Sequence, residues 1–598
     1  MHTLAPGEAY SFSTTTNFLQ IMEKRWVFKP DPKREIITEL IEKVGVSKPI
    51  ATIMAQRGIE SFDQAKSFFR PELEDLHDPF LMKGMEAAVN RIEQAIAANE
   101  NILIFGDYDV DGTSAVALMY EYLVADYEQI GYYIPDRYKE GYGVSEMGIE
   151  FALDNSFTLV IALDCGTKAV DLIAKAKEEG IDFIVCDHHT PGPTLPDAII
   201  LNPKQEGCEY PYKELCGCGI GFKLAQAINQ SRGNDIEVIY HLLDLVMVAI
   251  GADIVPMTGE NRILAYYGLH VLNNNPRIGF KQLLTLANKT GELSVTDVVF
   301  TIAPRINAAG RIDTGNKAVE LLLASNYDEV NEISQSINKN NETRKGLDKE
   351  ITVEALEMIA NDDWLLNAKS TVVFNKDWHK GVVGIVASRL TENYYRPTIV
   401  LTESNGMAVG SARSVRGFNV YDAIDKCSDL LVQFGGHFYA AGLTMELEKV
   451  PEFKLKFNQV VANSISEDML TPEIEVDVEI DFRDIFEEQR GGIPKFYRIL
   501  KQLSPFGPEN MRPIFVTRNV KDTGYSRVLK DEHLKLSVKQ DEYPDIIMNG
   551  IAFGMAQWYE VLQHGPVDIA YTLEENHWNG QVSLQMMIKD IRESERPV

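Results

Sequence analysis

The fold class of this chain is decided by one stretch, Asn101-Ile-Leu-Ile-Phe-Gly-Asp-Tyr-Asp-Val-Asp-Gly-Thr-Ser-Ala-Val-Ala-Leu-Met119. Its first five residues form a short, continuous apolar run, which is typical of a strand buried on both faces. The acidic segment from Gly106 to Gly112 predicts a loop. The residues from Thr113 onward are apolar with hydroxyl side chains at the start, which predicts a capped helix. The stretch therefore predicts a strand, a loop and a helix in that order.

The same order recurs further along the chain. Leu159-Val-Ile-Ala-Leu163 precedes Asp164-Cys-Gly166, and Phe183-Ile-Val-Cys186 precedes Asp187-His-His189. Apolar runs that alternate with helices predict an α/β domain, in which helices cover both faces of a parallel sheet. Ligands of such sheets bind in the crevice beyond the carboxyl ends of the strands. Every one of these acidic loops is predicted to lie at such an end.

Composition and charge exclude several classes of protein. The chain has 598 residues, enough for about four domains. Its 45% hydrophobic and 24% charged residues are ordinary globular usage, and no apolar run is long enough for a membrane span. A net charge of −30 argues against non-specific adhesion to nucleic acid or membrane, but allows a local basic groove or metal-mediated binding of phosphates. Six cysteines are too few for a disulfide framework, so we predict a reducing, cytoplasmic location.

Changes in texture along the chain predict six segments. Residues 1–21 are polar, rich in Ser and Thr and unlike a secretory signal, so we interpret them as a disordered tail or a mis-assigned start, with an ordered arm as the alternative. After this tail, the hydrophobic periodicity predicts helices and then alternating strands and helices. A second helical stretch, a second alternating region and a strand-rich region follow. The predicted boundaries are 22–97 for an N-terminal helical segment, 98–324 for a first α/β domain, 325–361 for a connecting helix, 362–466 for a second α/β domain and 467–598 for a small β-barrel.

Acidic and imidazole side chains are predicted to meet at one crevice. Asp107, Asp109 and Asp111 alternate along one loop, and a lone acidic loop is usually solvated surface or a helix cap. Asp164, Asp187-His188-His189 and Asp253 follow, however, at other strand or helix ends. Carboxylates packed so closely would repel one another, and divalent cations remove that penalty. Mixed oxygen and imidazole ligands favour Mn²⁺, with Mg²⁺ as the other candidate, over a thiolate-rich zinc site.

The cysteine- and glycine-rich stretch was considered as an alternative site. Cys216-Gly-Cys218 has poor spacing for zinc, and Cys208 adds no pair of the usual spacing. Gly217-Cys-Gly-Ile-Gly221 imitates a dinucleotide fingerprint but follows no clear strand. We interpret these residues as small side chains in a glycine-rich turn.

The motifs resemble those of a known family. Asp107-Tyr-Asp-Val-Asp-Gly112, Ala162-Leu-Asp-Cys-Gly166, Asp187-His-His189 and Gly435-Gly-His-Phe-Tyr-Ala-Ala-Gly442 are similar to the DHH phosphoesterase superfamily with its DHHA1 partner domain. The match is closer to its branch of bacterial 5′→3′ exonucleases specific for single strands. Asp-His-His alone is a weak signal, but the ordered set is specific and covers about residues 22 to 598. The further matching segments are Ile134–Gly143, Arg305–Arg311, Trp378–Arg389 and Ser504–Asn510.

The resemblance implies roles for the acidic and imidazole residues. The implied metal ligands are Asp107, Asp109, Asp111, Asp164, His188 and Asp253. Asp164 would bridge two ions, and Asp107 would be a second-tier ligand. His189 would contact the scissile phosphate, while Asp187 would orient it or ligate a metal. Phe105 stands where some superfamily members carry histidine, so one ion would have fewer protein ligands.

The resemblance also implies how substrate is held. A pocket for a 5′-phosphate would consist of Arg137, Arg311, Ser411 and Arg413, because arginine binds phosphate oxygens in bidentate fashion. The alternative is that each arginine pairs with a nearby carboxylate. Tyr142 would stack on a base or be a packed loop tyrosine. Gly435, Gly436 and His437 would form a turn that binds substrate, whereas His379 is interpreted as structural.

The implied activity is metal-dependent hydrolysis of single-stranded DNA from its 5′ end to 5′-mononucleotides, in recombination and repair. The β-rich segment would be an OB-fold for single strands. The alternatives are a phosphodiesterase of short oligoribonucleotides or cyclic dinucleotides, which the chain length disfavours, and a scaffold without catalysis, which the complete ligand set disfavours. The expected partners are single-stranded DNA with a 5′ end, a single-strand-binding protein and a helicase, for a monomer that binds no membrane.

Overall fold

The computed structural model describes residues 23–486, 493–578 and 580–594. The predicted tail, residues 1–21, lies outside the described residues. Within the described ranges, none of the helices combines the length and the apolar character that a membrane span requires.

The N-terminal segment packs against the C-terminal end of the chain. It contains β1 (Arg25–Phe28), α1 (Arg34–Val44), α2 (Lys48–Gln56) and α3 (Phe62–Phe69). Strand β1 was not predicted, and it pairs in parallel with residues 473–476. Leu40 and Ile50 of the helices share one core with Phe482 and Phe515 of the last domain. The first helices therefore complete the core of the last domain.

The first α/β domain confirms the predicted parallel sheet. Its five strands run in the order β3-β2-β4-β5-β6, and every pair is parallel. Successive strand residues alternate between two buried cores, with Ile104 in one and Leu103 in the other, which explains the continuous apolar runs. The elements are α4 (Met85–Ala98), β2 (Asn101–Gly106), α5 (Val110–Val124), β3 (Ile130–Tyr133), α6 (Glu146–Asp154), β4 (Phe157–Leu163), α7 (Val170–Glu178), β5 (Asp182–Cys186) and β6 (Ile199–Leu201).

Helices on one side of this sheet carry the rest of the domain. Helix α9 is apolar on all sides and buried from Leu243 to Gly251, because it packs between α5, α8 and α10. Its burial fixes the position of Asp253 at its last turn. These elements are α8 (Gly217–Ser231), α9 (Leu243–Asp253), α10 (Gly259–Asn274), α11 (Ile278–Leu286), α12 (Val295–Asp297), α13 (Ala303–Ile312) and α14 (Asn316–Leu323).

A 34-residue helix, α15 (Tyr327–Ala360), connects the two α/β domains and is about 50 Å long. The second domain is built on a five-stranded mixed sheet of order β10-β11-β9-β8-β7. The predicted turn at Gly435–His437 is wrong, because these residues end strand β10 and pair with β11. The elements are α16 (Asp363–Asn367), β7 (Thr371–Phe374), α17 (Val383–Tyr394), β8 (Thr398–Ser404), β9 (Met407–Arg413), α18 (Val420–Asp425), β10 (Gln433–His437), β11 (Ala440–Glu446) and α19 (Val450–Ser464).

The C-terminal domain confirms the predicted barrel. Pairings β14–β18, β18–β19, β19–β17, β17–β16 and β16–β14 close five strands on themselves, as in an OB-fold. Strand β12 lies outside the barrel and pairs with β1. The elements are β12 (Glu473–Val476), β13 (Val478–Glu479), α20 (Phe482–Phe486), α21 (Lys495–Gln502), β14 (Phe515–Asp522), β15 (Arg527–Leu529), β16 (His533–Gln540), β17 (Tyr543–Ala552), α22 (Trp558–His564), β18 (Val567–Trp578) and β19 (Gln581–Glu593).

Candidate metal centre and substrate pocket

The acidic loop after β2 is also the start of a helix. Asp109 is the N-cap of α5, and its Oδ1 accepts a hydrogen bond from the Gly112 amide at 3.1 Å. Helix α5 begins at Val110, three residues before the predicted start, so Asp111 lies in its first turn. Asp107 is fully buried at the strand end, and its Oδ2 accepts no hydrogen bond. The loop thus presents one buried, unsatisfied carboxylate and two at a helix N-terminus.

Asp111 is held in place by a second helix. The amides of Gly217 and Cys218, the first residues of α8, donate hydrogen bonds to its two carboxylate oxygens at 2.7 and 2.8 Å. A Cβ atom at Gly217 would lie 2.5 Å from Cβ of Asp164, so only glycine fits there. The interpretation of this stretch as a turn is wrong, because these residues begin a helix whose N-terminal amides position an acid.

Three carboxylates from separate elements approach the imidazole of His188. His188 Nε2 lies 3.2 Å from Oδ1 of Asp164, 3.6 Å from Oδ2 of Asp253 and 4.0 Å from Oδ2 of Asp111. Asp164 follows β4 in a left-handed conformation, with φ of 59°. Among the described residues, none donates a hydrogen bond to its buried Oδ1. Two groups of ligand atoms lie close enough to share an ion, namely Asp111, His188 and Asp253, and Asp164, His188 and His189.

The electrostatics of this cluster call for a cation. Burial and then the neighbouring carboxylates raise the pKa of Asp111 to about 6 and that of Asp253 to about 9. The same two causes raise the pKa values of Asp107 and Asp164 well above the usual range. Burial lowers the pKa of His188 to about 3, so its imidazole is neutral and free to ligate. Unsatisfied buried carboxylates beside a neutral imidazole are a donor set that fits Mn²⁺ or Mg²⁺.

Asp187 faces His189 instead of the acidic cluster. Its Oδ1 lies 2.7 Å from His189 Nδ1 and accepts a hydrogen bond from the His189 amide, while its Oδ2 accepts one from the Thr167 amide at 2.9 Å. Burial opposes ionisation of Asp187, but the hydrogen bonds and charge of His189 hold its pKa below the usual range. Both carboxylate oxygens are therefore engaged in orienting His189.

The Tyr142 side chain is anchored at one end only. Its hydroxyl donates a hydrogen bond to the backbone oxygen of Asp164 at 2.8 Å and lies 3.2 Å from His189 Nε2. Half of the residue remains exposed, at 51%. The anchored hydroxyl and the exposed ring are compatible with both of the sequence interpretations, a packed loop tyrosine and a stacking platform.

A cavity of about 280 Å³ adjoins the acidic cluster. The guanidinium of Arg137 lies 4.5 Å from the ring centre of Tyr108, and Arg311 Nη1 donates a hydrogen bond to the Gly381 oxygen at 3.1 Å. Sequence reasoning missed Tyr108 and Asn307 as lining residues, although both lie inside segments that carried the family resemblance. The cavity is lined by Asp107, Tyr108, Asp109, Val110, Asp111, Arg137, Tyr142, Ala252, Asp253, Asn307 and Arg311.

Arg413 brings a third guanidinium toward this cavity from the second α/β domain. Its Nη1 donates hydrogen bonds to Ser411 Oγ and to the Ala412 oxygen, both at 2.7 Å. Burial and then the charges of Arg137, Arg344 and Arg413 lower the pKa of Arg311 to about 10, so these cations share one region. In the described part of the chain, no carboxylate lies within 4.0 Å of Arg137, Arg311 or Arg413. Within the described residues, the alternative that each arginine pairs with a carboxylate therefore does not hold.

The second α/β domain places a histidine next to His189. The His437 ring at the end of β10 lies 6.5 Å from the His189 ring, with an interplanar angle of 21°. Gly436 has φ of 152°, and a Cβ atom there would lie 2.4 Å from the Ala440 oxygen, so the hairpin requires glycine. His379 Nδ1 accepts a hydrogen bond from the Gly381 amide at 3.1 Å, in line with its structural interpretation.

Family models match the first α/β domain, the second α/β domain and the C-terminal barrel. The DHH family, N-terminal domain, matches residues 101–250, the DHHA1 domain matches residues 367–463 and the RecJ OB domain matches residues 476–590. Together with the parallel sheet and the acid- and imidazole-lined centre, these matches define a DHH-family protein with a DHHA1 domain.

Comparison with individual proteins and with solved structures shows a more specific family within this class. The single-stranded-DNA-specific exonuclease RecJ of Bacillus subtilis is 37% identical over 96% of this chain and 71% of its own length. The chain belongs to the RecJ family. RecJ of Thermus thermophilus in complex with Mn²⁺ superimposes with a TM-score of 0.81 and 26% identity, covering 96% of this chain and 80% of that one. The structure of Thermus thermophilus RecJ with Mg²⁺ superimposes with a TM-score of 0.76 and 25% identity. It covers 96% of this chain and 79% of that one.

Proposed function

We propose that this protein is a metal-dependent exonuclease that hydrolyses single-stranded DNA from its 5′ end and releases 5′-mononucleotides. The observation that carries the proposal is the position of Arg137, Arg311 and Arg413, none of which has a carboxylate partner among the described residues. They lie beside an acidic centre that contains unsatisfied buried oxygens of Asp107 and Asp164. The relatives described above are named as exonucleases specific for single-stranded DNA.

The acids and His188 are the proposed ligands of two divalent ions. Such ions, when bound, polarise a phosphate, activate water and offset the charge of the leaving oxygen. We assign Asp164 as the bridging ligand, because it lies nearest to His188 and has an unsatisfied buried oxygen. Asp107 is a second-tier ligand. The proposed ligand set is Asp107, Asp109, Asp111, Asp164, His188 and Asp253.

His189 is the proposed contact to the scissile phosphate. Burial favours the neutral imidazole, but the hydrogen bond and charge of Asp187 raise the pKa of His189 above its usual value. When protonated, the His189 ring held by Asp187 can donate a hydrogen bond to a phosphate oxygen. Asp187 therefore acts through His189, and Tyr142 places its exposed ring where a terminal base can stack.

The arginine cluster is the proposed site for the terminal 5′-phosphate. Guanidinium groups bind phosphate oxygens in bidentate fashion, and the hydroxyl of Ser411 is already held by Arg413 at 2.7 Å. An anchored end next to the metal centre limits cleavage to the first phosphodiester bond. Across the cleft, His437 and the amides of Gly435 and Gly436 are proposed to hold a neighbouring phosphate.

The remaining partners follow from this substrate. The barrel is proposed to bind the single strand downstream of the cleavage site, since OB-folds offer such a groove. A role in recombination and repair would place the enzyme in the cytoplasm with a single-strand-binding protein and a helicase. We propose a monomer, because one chain supplies every residue assigned above.

The decisive experiment compares single strands labelled at the 5′ or the 3′ end, with Mn²⁺, with Mg²⁺ and with a chelator. We expect labelled mononucleotide to appear first from the 5′-labelled strand, only when metal is present, and a duplex of the same sequence to resist. Asp164→Ala is the inactive control. Early release of the 3′ label, or full activity after chelation, would contradict the proposal.

A further inference from the structure

The segment Ser504–Asn510 carried part of the family resemblance but has no part in the catalytic site. It joins α21 to the barrel and lies against α10 of the first α/β domain. The guanidinium of Arg262 on α10 donates hydrogen bonds to backbone oxygens of α3 and of residues 502–505. Its acceptors are Phe68 at 3.0 Å, Gln502 at 3.5 Å, Leu503 at 3.0 Å and Pro505 at 3.4 Å.

Arg262 is a buried cation that is satisfied by carbonyl groups. It is 5% exposed, and its guanidinium lies 3.7 Å from the ring centre of Phe68. Within the described ranges it has no carboxylate within 4.0 Å. A buried charge is costly unless its hydrogen bonds are made. The cation is therefore satisfied only while the Leu503–Pro505 loop and α3 stay in place.

Other contacts hold the same loop from two directions. The Met257 amide, just before α10, donates a hydrogen bond to the Pro508 oxygen at 2.8 Å. Asn510 Nδ2 donates hydrogen bonds to the oxygens of Leu503 and Pro505, both at 2.9 Å. From the N-terminal helices, Arg57 donates a hydrogen bond to Asn510 Oδ1 at 2.9 Å.

Arg57 and Arg262 connect different parts of the molecule. Arg57 lies 3.4 Å from a carboxylate oxygen of Asp477, and both residues belong to the body formed by the N-terminal helices and the barrel. Arg262 alone of the two belongs to the catalytic domain. Arg262 therefore links that domain to the body that carries the barrel.

We propose that Arg262 is a positioning residue that fixes the C-terminal barrel on the catalytic domain, so that a long single strand contacts both at once. This inference rests on the proposed function. Domains within one chain move relative to each other unless their interface is strong. Two sites held at a fixed separation bind a long ligand far more tightly than either site alone, whereas a short ligand that reaches one site gains nothing.

The test is the dependence of KM on strand length in Arg262→Met, which removes the charge and donors but keeps much of the volume. We expect KM for strands of about 50 nucleotides to rise about 10-fold or more. For strands of about 6 nucleotides, kcat and KM should stay within about twofold of wild type. Arg232→Met is the matched control, because Arg232 is an arginine of the same domain that bonds Glu93 and Asp126 instead of the barrel. An equal loss of kcat/KM for the long and the short strands would overturn the proposal.

A crosslink separates positioning from folding. A Cβ atom at Gly507 would lie 3.1 Å from Cβ of Met257, a few tenths of an ångström below the usual disulfide range. Adding Met257→Cys and Gly507→Cys to Arg262→Met should restore the KM for long strands when the bond is oxidised and lose it again on reduction. Failure of a verified crosslink to restore it would overturn the proposal.

A measurement without DNA keeps this inference distinct from the proposed function. Small-angle scattering of Arg262→Met should show a larger radius of gyration than wild type, and the oxidised crosslink should reverse the increase. An unchanged radius would count against the positioning role whatever the activity. Wild-type protein that degrades no single strand would contradict the proposed function, while the scattering result would still decide the role of Arg262.

Discussion

The rings of His189 and His437 face each other across the cleft between the two α/β domains, with their centres 6.5 Å apart and their planes 21° apart. His189 follows a strand of the first sheet, and His437 ends an edge strand of the second. The cleft therefore brings together one imidazole from each of the two α/β domains.

His437→Ala should weaken substrate binding more than it slows chemistry. His437 lies beside the proposed phosphate contact but makes no contact with the acidic cluster, so we expect KM for single strands to rise about 10-fold while kcat falls less. Steady-state kinetics on a fixed substrate measure both constants. His564→Ala is the control, since His564 is an exposed residue at the end of α22. A fall in kcat with unchanged KM would contradict a binding role.

Asp164→Asn should abolish activity and leave the fold intact. Asparagine tolerates the left-handed conformation of this position, and it removes one charge from a repelling cluster. We expect activity to fall by about 100-fold or more. The melting temperature of the chelated variant should equal or exceed that of wild type, and Mn²⁺ should raise it less. A lower melting temperature with normal stabilisation by Mn²⁺ would show that Asp164 is structural and not a ligand.

Arg413→Ala should impair short substrates most. An end anchor supplies a larger share of the binding free energy when few other contacts are made, so kcat/KM should fall several-fold more for short strands than for long ones. The effect should also require a 5′-phosphate. Arg416→Ala is the matched control, because Arg416 lies on the same segment but pairs with Glu473 and Glu475. Equal losses at every length, or with a 5′-hydroxyl end, would contradict the pocket.

In the chelated protein, the contribution of Asp111 and Asp253 to stability should fall as pH rises. The folded-state pKa values of Asp111, about 6, and Asp253, about 9, lie above the usual 3.8, so the folded state binds more protons than the unfolded state between these values. The stabilising contribution is present below about pH 4 and is lost as pH rises toward 9. Melting curves with chelator and with Mn²⁺ measure this, and the gain from Mn²⁺ should grow with pH. A gain that is constant across this range would contradict a carboxylate metal site.

Local patterns were enough to predict the sheet and its loops. The apolar run before Asp107 and the equivalent run before Asp164 predicted parallel strands with acids at their carboxyl ends, as observed. The reason is that a strand buried on both faces has a continuous apolar sequence, and the carboxyl ends of parallel strands meet at one edge. The connecting helix and the barrel were also visible as changes in periodicity.

Local sequence patterns did not predict the contacts between segments that lie far apart along the chain. Nothing in the local sequence of Gly217 indicates that its amide holds Asp111, and its glycine-rich stretch was interpreted as a turn. Strand β1 was missed because its partner, β12, lies more than 400 residues away and the pair forms only in the folded chain. The packing of α1–α3 on the barrel was missed for the same reason.

The amino-acid sequence by itself determined which side chains stand at the strand ends, since that depends on neighbours a few residues away. The tertiary structure decided that the acids share His188 and that Arg262 joins the catalytic domain to the barrel. It also decided that three arginines have no carboxylate partner among the described residues. These relations depend on how buried surfaces of separate elements fit together. That fit is a property of the whole folded chain, which periodicity along one segment does not contain.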